Sequence, residues 1–119
     1  MSTNPAPTSV SGLQLHTYTW DDAMVVQCAG QLTIGHTDEL KAQVRSLIPT
    51  AKRIILDLKG IGRMDSAGLG TLVALYISAK KANCHFLLTN YNPSIRKLLG
   101  LSNLLSVFEA CAQSGMRFP

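Results

Sequence analysis

A single α/β domain is predicted: a mixed, mostly parallel sheet with an N-terminal hairpin and three main helices packed on it. Three observations predict it. An alternating run, Leu13–Trp20, and a second strand-like run, Met24–Ala29, flank Asp21-Asp22, a turn signal, and so read as an antiparallel pair. The β-branched, apolar run Ile54-Ile55-Leu56-Asp57-Leu58, interrupted only by Asp57, has the character of a buried parallel strand. Amphipathic helical patterns then alternate with the later strands, as crossover connections require.

In the first strand Leu13 and Leu15 share a face. After the second, Gly30-Gln31-Leu32-Thr33 leads away from the sheet to a helix over about Thr37–Ile48. Leu40, Val44, Leu47 and Ile48 lie on one side of it, Asp38 and Glu39 suit its positive end, and Pro49 stops it. The third strand is expected over Arg53–Leu58, with the glycine-containing Lys59–Met64 segment as a turn. A helix begins just past Ser66 and presents Leu69, Leu72, Val73, Tyr76 and Ile77 inward at helical spacing, with Lys80-Lys81 complementing its C-terminal dipole. Strand four is Cys84–Thr89. Asn92-Pro93 opens the third helix as N-cap and first residue, Ile95, Leu98 and Leu99 face inward, and Gly100 can supply a left-handed cap. Leu104–Phe108 reads as a short final strand or an apolar tail. Residues 1–10 read as a disordered leader and 11–119 as one domain.

Composition narrows the function. The 119 residues are 46% hydrophobic and 15% charged, which fits one compact domain with a real core. The apolar run Leu72–Ile77 is far too short to span a bilayer, and Met1–Thr8 lacks the basic and apolar regions of a secretion signal. A cytoplasmic protein without membrane insertion is expected. Cys28, Cys84 and Cys111 are odd in number and form no Cys-x-x-Cys pair, so they read as reduced thiols. His16, His36 and His85 are scattered, and neither a metal nor a cofactor is expected. The net charge of +4 comes from pairs such as Lys41/Arg45, Lys52/Arg53, Lys80/Lys81 and Arg96/Lys97. With aromatics at only 6% and none interleaved, these read as solvated faces, not a nucleic-acid platform.

The informative stretch is Met64-Asp65-Ser66-Ala67-Gly68-Leu69-Gly70, which puts a serine at a helix start beyond a central strand. Enzymatic motifs fail on it. A nucleophile elbow needs Gly at 64, and the dinucleotide fingerprint needs Gly at 65, where a carboxylate stands instead. No Gly-Lys-Ser/Thr segment exists, so no enzyme is predicted. Two roles remain for Ser66. It, or Asp65, caps the helix, or the serine carries a phosphate where backbone N–H groups and the helix dipole favour an anion. Gly68 and Gly70 each cost about 1 kcal/mol in a helix relative to Ala, so they imply close approach by another backbone, in this chain or in a partner.

These residues carry a family resemblance running from about Leu13 to Phe108. Gly30-Gln31-Leu32-Thr33, Ile55–Leu58 with Met64–Gly70, and Pro93–Leu99 with Leu101–Leu104 resemble the three signature segments of the STAS domain. The match is to its small single-domain anti-sigma factor antagonists. The resemblance implies that Ser66 is phosphorylated by a serine kinase that is also the anti-sigma factor. The unphosphorylated form then binds this kinase and frees the sigma factor, the phosphorylated form lets go, and a serine phosphatase resets the switch. It also implies a partner-binding face of Thr33, Arg63, Met64, Asp65, Ser66, Ala67, Gly68 and Leu69. Gly62-Arg63 departs from the family's usual Thr-Phe or Thr-Tyr, and three readings stand open for Arg63: it pairs with a phosphate on Ser66, meets an acidic patch on the partner, or is solvated. Gln31 and Thr33 replace the common Glu and Asp, and with the basic charge balance these changes suggest a partner surface more acidic than usual. The alternative is a STAS subunit docked constitutively on a transporter ATPase or a stressosome-like scaffold, with Ser66 only a cap. A monomer is expected, or a weak dimer through Tyr18, Trp20 or the C-terminal apolar residues.

Overall fold

The computed structural model describes residues 12–101, so the expectations for the leader, for Leu104–Phe108 and for Cys111 lie outside the described residues. The elements are β1 (Leu13–Trp20), β2 (Ala23–Leu32), α1 (Asp38–Leu47), β3 (Arg53–Met64), α2 (Ser66–Lys81), β4 (His85–Thr89) and α3 (Pro93–Leu101). The four strands form one sheet in the order β1-β2-β3-β4. β1 and β2 are antiparallel, whereas β2, β3 and β4 are parallel. Asp21 makes the hairpin turn with a left-handed φ of 57°, as two-residue connections demand.

The chain steps in one direction across the sheet, from β2 to β3 to β4. Right-handed crossovers taken in one direction put both connecting helices on the same face. There Leu40 and Val44 of α1, Leu72, Leu75 and Ala79 of α2, and Ile95 and Leu99 of α3 close over Val26, Leu32, Ile54, Leu56, Leu58, Phe86 and Leu88. Each such fully buried side chain contributes roughly 1.5–3 kcal/mol. On the opposite face a smaller cluster joins Ala23, Val25, Ile55 and Leu87, with Tyr18 and Trp20 packed against it.

The expected fold class, element order and hairpin are all present. Gly30-Gln31-Leu32 does not leave the sheet as expected, because β2 runs to Leu32 and pairs there with β3. Three further local expectations need correction. First, β3 does not end at Leu58 but continues to Met64. Its pairing with β2 shifts register between Gln27 and Ala29 and again between Gly30 and Gln31, each time fitting one extra residue into β3. These two bulges replace the expected turn, and they let Leu58, Ile61 and Met64, three residues apart, all reach the same core. Second, α2 buries Gly68, Thr71, Leu72, Leu75 and Ala79, a face rotated from the expected one, and leaves Ile77 48% exposed. Third, Gly100 lies inside α3 and is not among the positive-φ glycines. The expected α3 start holds: Asn92 Oδ1 accepts from Ile95 N at 2.8 Å, and its Nδ2 donates to Ile61 O at 3.1 Å.

Candidate functional site

The elongated β3 carries the chain to the edge of the helical layer and delivers Asp65 in extended geometry (φ −116°, ψ −170°) directly before α2. Its Oδ1 accepts from Ala67 N at 3.0 Å and from Gly68 N at 3.1 Å. Two of the four orphan donors of the helix start are satisfied in this way. Oδ2 accepts from Ile34 N at 3.0 Å, a residue 31 positions earlier in the chain. One carboxylate therefore caps α2 and fastens the segment that follows β2. These bonds hold the Asp65 carboxyl below the ordinary carboxylate range, Ile34 contributing most and Gly68 next.

The fastened segment is a tight turn. His36 N donates to Thr33 O at 2.8 Å, and Gly35 at its third position has φ 84°, a conformation natural to glycine and to the third residue of a type II turn. Ile34 at the second position is 78% exposed.

With Asp65 in the capping role, Ser66 is the first helical residue and lies exposed. Its hydroxyl makes no hydrogen bond among the described residues. Sequence alone left the cap open between these two neighbours, and the structure gives it to the aspartate. Gly68 is buried, and a Cβ there would overlap the Leu32 carbonyl oxygen and stand 2.9 Å from Met64 Cγ. The backbone that approaches Gly68 thus belongs to this chain. Gly70 is different: it is exposed, and a Cβ there would meet nothing within 4 Å.

The predicted site residues gather around this corner with unequal access. Ser66 and Arg63 are exposed, Arg63 opposite Gln31 of β2. Asp65 and Ala67 are half-buried, as are Met64 and Leu69, which pack against the main core. Thr33 and Gly68 are buried. Sequence reasoning missed Ile34, and it assigned Val73 and Ile77 to the core. In fact Ser66, Gly70, Val73 and Ile77 follow one another at helical spacing, with Ala74 beside them, along the outward side of α2. The signal was present as a second apolar flank on a helix that already had one.

Other reactive groups lie elsewhere and are quiet. Burial, with help from the Asp57 charge, pushes the Cys28 thiol up to about 12, and burial raises Cys84 as well, so neither is a thiolate nucleophile at neutral pH. Asp57 is 5% exposed and accepts from Lys59 N at 3.0 Å and Asn90 Nδ2 at 3.1 Å, tying the end of the regular part of β3 to the loop after β4. A cavity of about 550 Å³ lined by Gln14, His16, Gln27, Asp57, Lys59 and Gly60, among others, shares no residue with the Ser66 corner. Among the described residues no three His, Cys, Asp or Glu side chains are placed to hold a metal ion, and no helix is long and apolar enough to cross a membrane.

Comparison with known proteins adds the following. The family described as "Mlab, STAS domain" matches residues 16–108. A STAS-domain containing protein of Pseudomonas aeruginosa (strain UCBPP-PA14) is 28% identical over 86 residues, covering 72% of this chain and 85% of that protein. The anti-sigma F factor antagonist of Paenibacillus polymyxa is 27% identical over 86 residues, covering 71% and 74%. Among solved structures, an anti-sigma factor antagonist from Mycobacterium paratuberculosis superposes with a TM-score of 0.74 at 21% identity, over 87% of this chain and 86% of that one. The Bacillus cell fate determinant SpoIIAA in its phosphorylated form gives 0.65 at 19% identity, over 80% and 87%. At such identities the structural matches speak for the fold.

Proposed function

The chain belongs to the STAS-domain family, and on that premise we propose that it is an anti-sigma factor antagonist switched by phosphorylation of Ser66. It is a binding protein whose unphosphorylated form captures an anti-sigma factor with serine-kinase activity and so releases the sigma factor. One observation carries the reading: Asp65 caps the helix, so the adjacent Ser66 hydroxyl is exposed and unused. A serine acting as the cap would instead hold its oxygen against backbone N–H groups, where a kinase reaches it less readily.

The modification is a phosphoryl transfer from ATP. The Ser66 Oγ–P bond forms as the bond from the terminal phosphorus to the bridging oxygen breaks. ADP leaves with that electron pair, and the hydroxyl proton goes to a base on the kinase. The product carries about −1.5 to −2 charges. Buried against a partner without a compensating cation, such a charge costs several kcal/mol. Turning a 1:99 equilibrium into 99:1 takes about 5.5 kcal/mol, so blocking at this one position suffices. A serine phosphatase would restore the binding form by hydrolysis.

The partner face consists of the Ser66 corner with Arg63, the Ile34 turn, and the outward stripe of Gly70, Val73 and Ile77. The missing side chain at Gly70 lets a partner backbone come close to the helix. Arg63 gives this face a cation for an acidic partner, so Arg63→Glu is expected to weaken capture more than Lys80→Glu, whose ammonium lies at the far end of α2 over the Tyr76 ring. Equal losses would remove Arg63 from the interface.

A second reading is favoured by the length of that stripe, which runs several turns beyond Ser66. A subunit docked constitutively on a transporter ATPase or a stressosome-like scaffold would use the same face without any phosphate. Pull-downs from the native host with Ser66→Ala and Ser66→Asp baits separate the two. Retention of a serine kinase by the Ala form alone supports the switch. Retention of one transporter or scaffold by both forms supports constitutive docking.

A further inference from the structure

We propose that Asp65 is a latch that couples Ser66 to the Thr33–His36 turn, so that a phosphate on Ser66 withdraws the exposed Ile34 side chain from the partner face. The proposal deepens the switch reading and rests on it for its biological setting. Its physical basis is the division of labour between the two oxygens of one carboxylate. Oδ1 holds the α2 start through Ala67 N and Gly68 N, and Oδ2 holds Ile34 N. Besides that bond, the turn has the internal link from His36 N to Thr33 O. The internal link keeps the turn a turn, and among the described residues Asp65 alone ties Ile34 N to the helix start.

A large apolar side chain that is 78% exposed at the tip of a turn gains nothing for this fold by being there. Held at a fixed height beside Ser66, it offers a partner an apolar anchor adjoining the modifiable hydroxyl. Flanking Gly35 adds no side chain beside it, and apart from its two chain neighbours no atom of the described residues lies within 4 Å of where a Cβ would stand.

Phosphorylation attacks the latch twice. Three new acceptor oxygens arrive at the first helical residue, beside the same Ala67 and Gly68 N–H donors that Oδ1 now holds, where the helix dipole favours them. The dianion also sits next to the Asp65 carboxylate, a like charge, and repels it. Displacement of Oδ1 swings the side chain and takes Oδ2 from Ile34 N. The helix keeps a cap, since the phosphate replaces the carboxylate, while the turn loses its tether. Partner release then has two components: the charge at Ser66 and the loss of a positioned Ile34.

The test is made on the chain alone, with phosphoserine placed at position 66 during synthesis, so it needs neither the kinase nor the partner. In the unmodified protein the Ile34, Ala67 and Gly68 amide protons should follow a single carboxylate titration in ¹H–¹⁵N spectra. In the phosphoserine form the Ile34 amide should lose that dependence, and its hydrogen exchange should accelerate about tenfold or more. The Lys59 amide, held by Asp57, should not change. Asp65→Asn, which keeps one capping oxygen, should reproduce the Ile34 effect without phosphate. An Ile34 amide unchanged by phosphoserine, or one that instead titrates with the phosphate, would overturn the latch and leave simple charge blocking at Ser66 intact. A host in which Ser66 is never phosphorylated would remove the switch reading without touching this result.

Discussion

Gly68 and Gly70 stand two residues apart on one helix and have opposite reasons to be glycine. Gly68 faces inward, and the Leu32 carbonyl at the end of β2 occupies the space where a Cβ would be. Gly70 faces outward, and nothing in the described fold comes near it. One glycine is therefore required by packing, and the other carries a helix-propensity cost that the fold does not need. The fold thus gives no internal reason for the second glycine. The contrast is what motivates placing the proposed docking stripe on the Gly70 side of α2, away from the packed Gly68 side.

The sharpest way to break the comparison is Gly68→Ala. Overlap with a backbone oxygen cannot be relieved by a rotamer change, so β2 and α2 must separate, at a cost of about 2–3 kcal/mol. Urea unfolding should show a lower midpoint with unchanged slope. Wild-type stability would mean that the close approach to Leu32 is not rigid.

Asp65→Ala should come next, with a smaller fall in the urea midpoint, because it strips two helix donors and the Ile34 tether from their acceptor at once. Asp65→Asn should fall less, keeping the cap and losing the tether. Acid sharpens this. The folded carboxyl lies below its unfolded value of about 3.9, so its stabilisation is present above that pH and fades as pH falls through the lower, folded value. The difference between wild type and Asp65→Asn should therefore shrink on acidification below about pH 4. A gap that stays constant there would exclude the carboxylate charge as its source.

Gly70→Ala should move stability the other way, raising it by about 1 kcal/mol through helix propensity alone. Gly70→Arg should also fold, yet prevent capture of the partner by filling the smooth part of the stripe. Full capture by Gly70→Arg would show that the partner does not use this side of α2.

How much of this was legible in the sequence follows the same division between inward and outward causes. The hairpin, α1 and the α3 start were readable because each has a local signal with one meaning: Asp21-Asp22, the Leu40/Val44 face, Asn92-Pro93. The second half of β3 was not, because two bulges break the alternation that identifies strands and their glycines imitate a turn. The face of α2 was misjudged because both its flanks are apolar, and periodicity cannot say which one the sheet covers. At the site, Asp65 and Ser66 are both good caps, so only coordinates could award the role. Ile34 had no signal, since a single isoleucine is unremarkable until its exposure and its bond to Asp65 are known.

Ser66→Ala has the smallest expected effect on the fold and the largest on the switch. Its hydroxyl makes no bond among the described residues, so the urea midpoint should correspond to a change within about 0.5 kcal/mol, as for other surface substitutions. A serine that capped the helix would instead cost about 1 kcal/mol on replacement by alanine. The same variant should accept no phosphate at this helix start and should hold its partner constitutively. Neighbouring residues would then have separated duties: Asp65 maintains the corner that Ser66 is free to modify. If Ser66→Ala proves as destabilising as loss of a cap, that separation fails, and the serine becomes a structural residue.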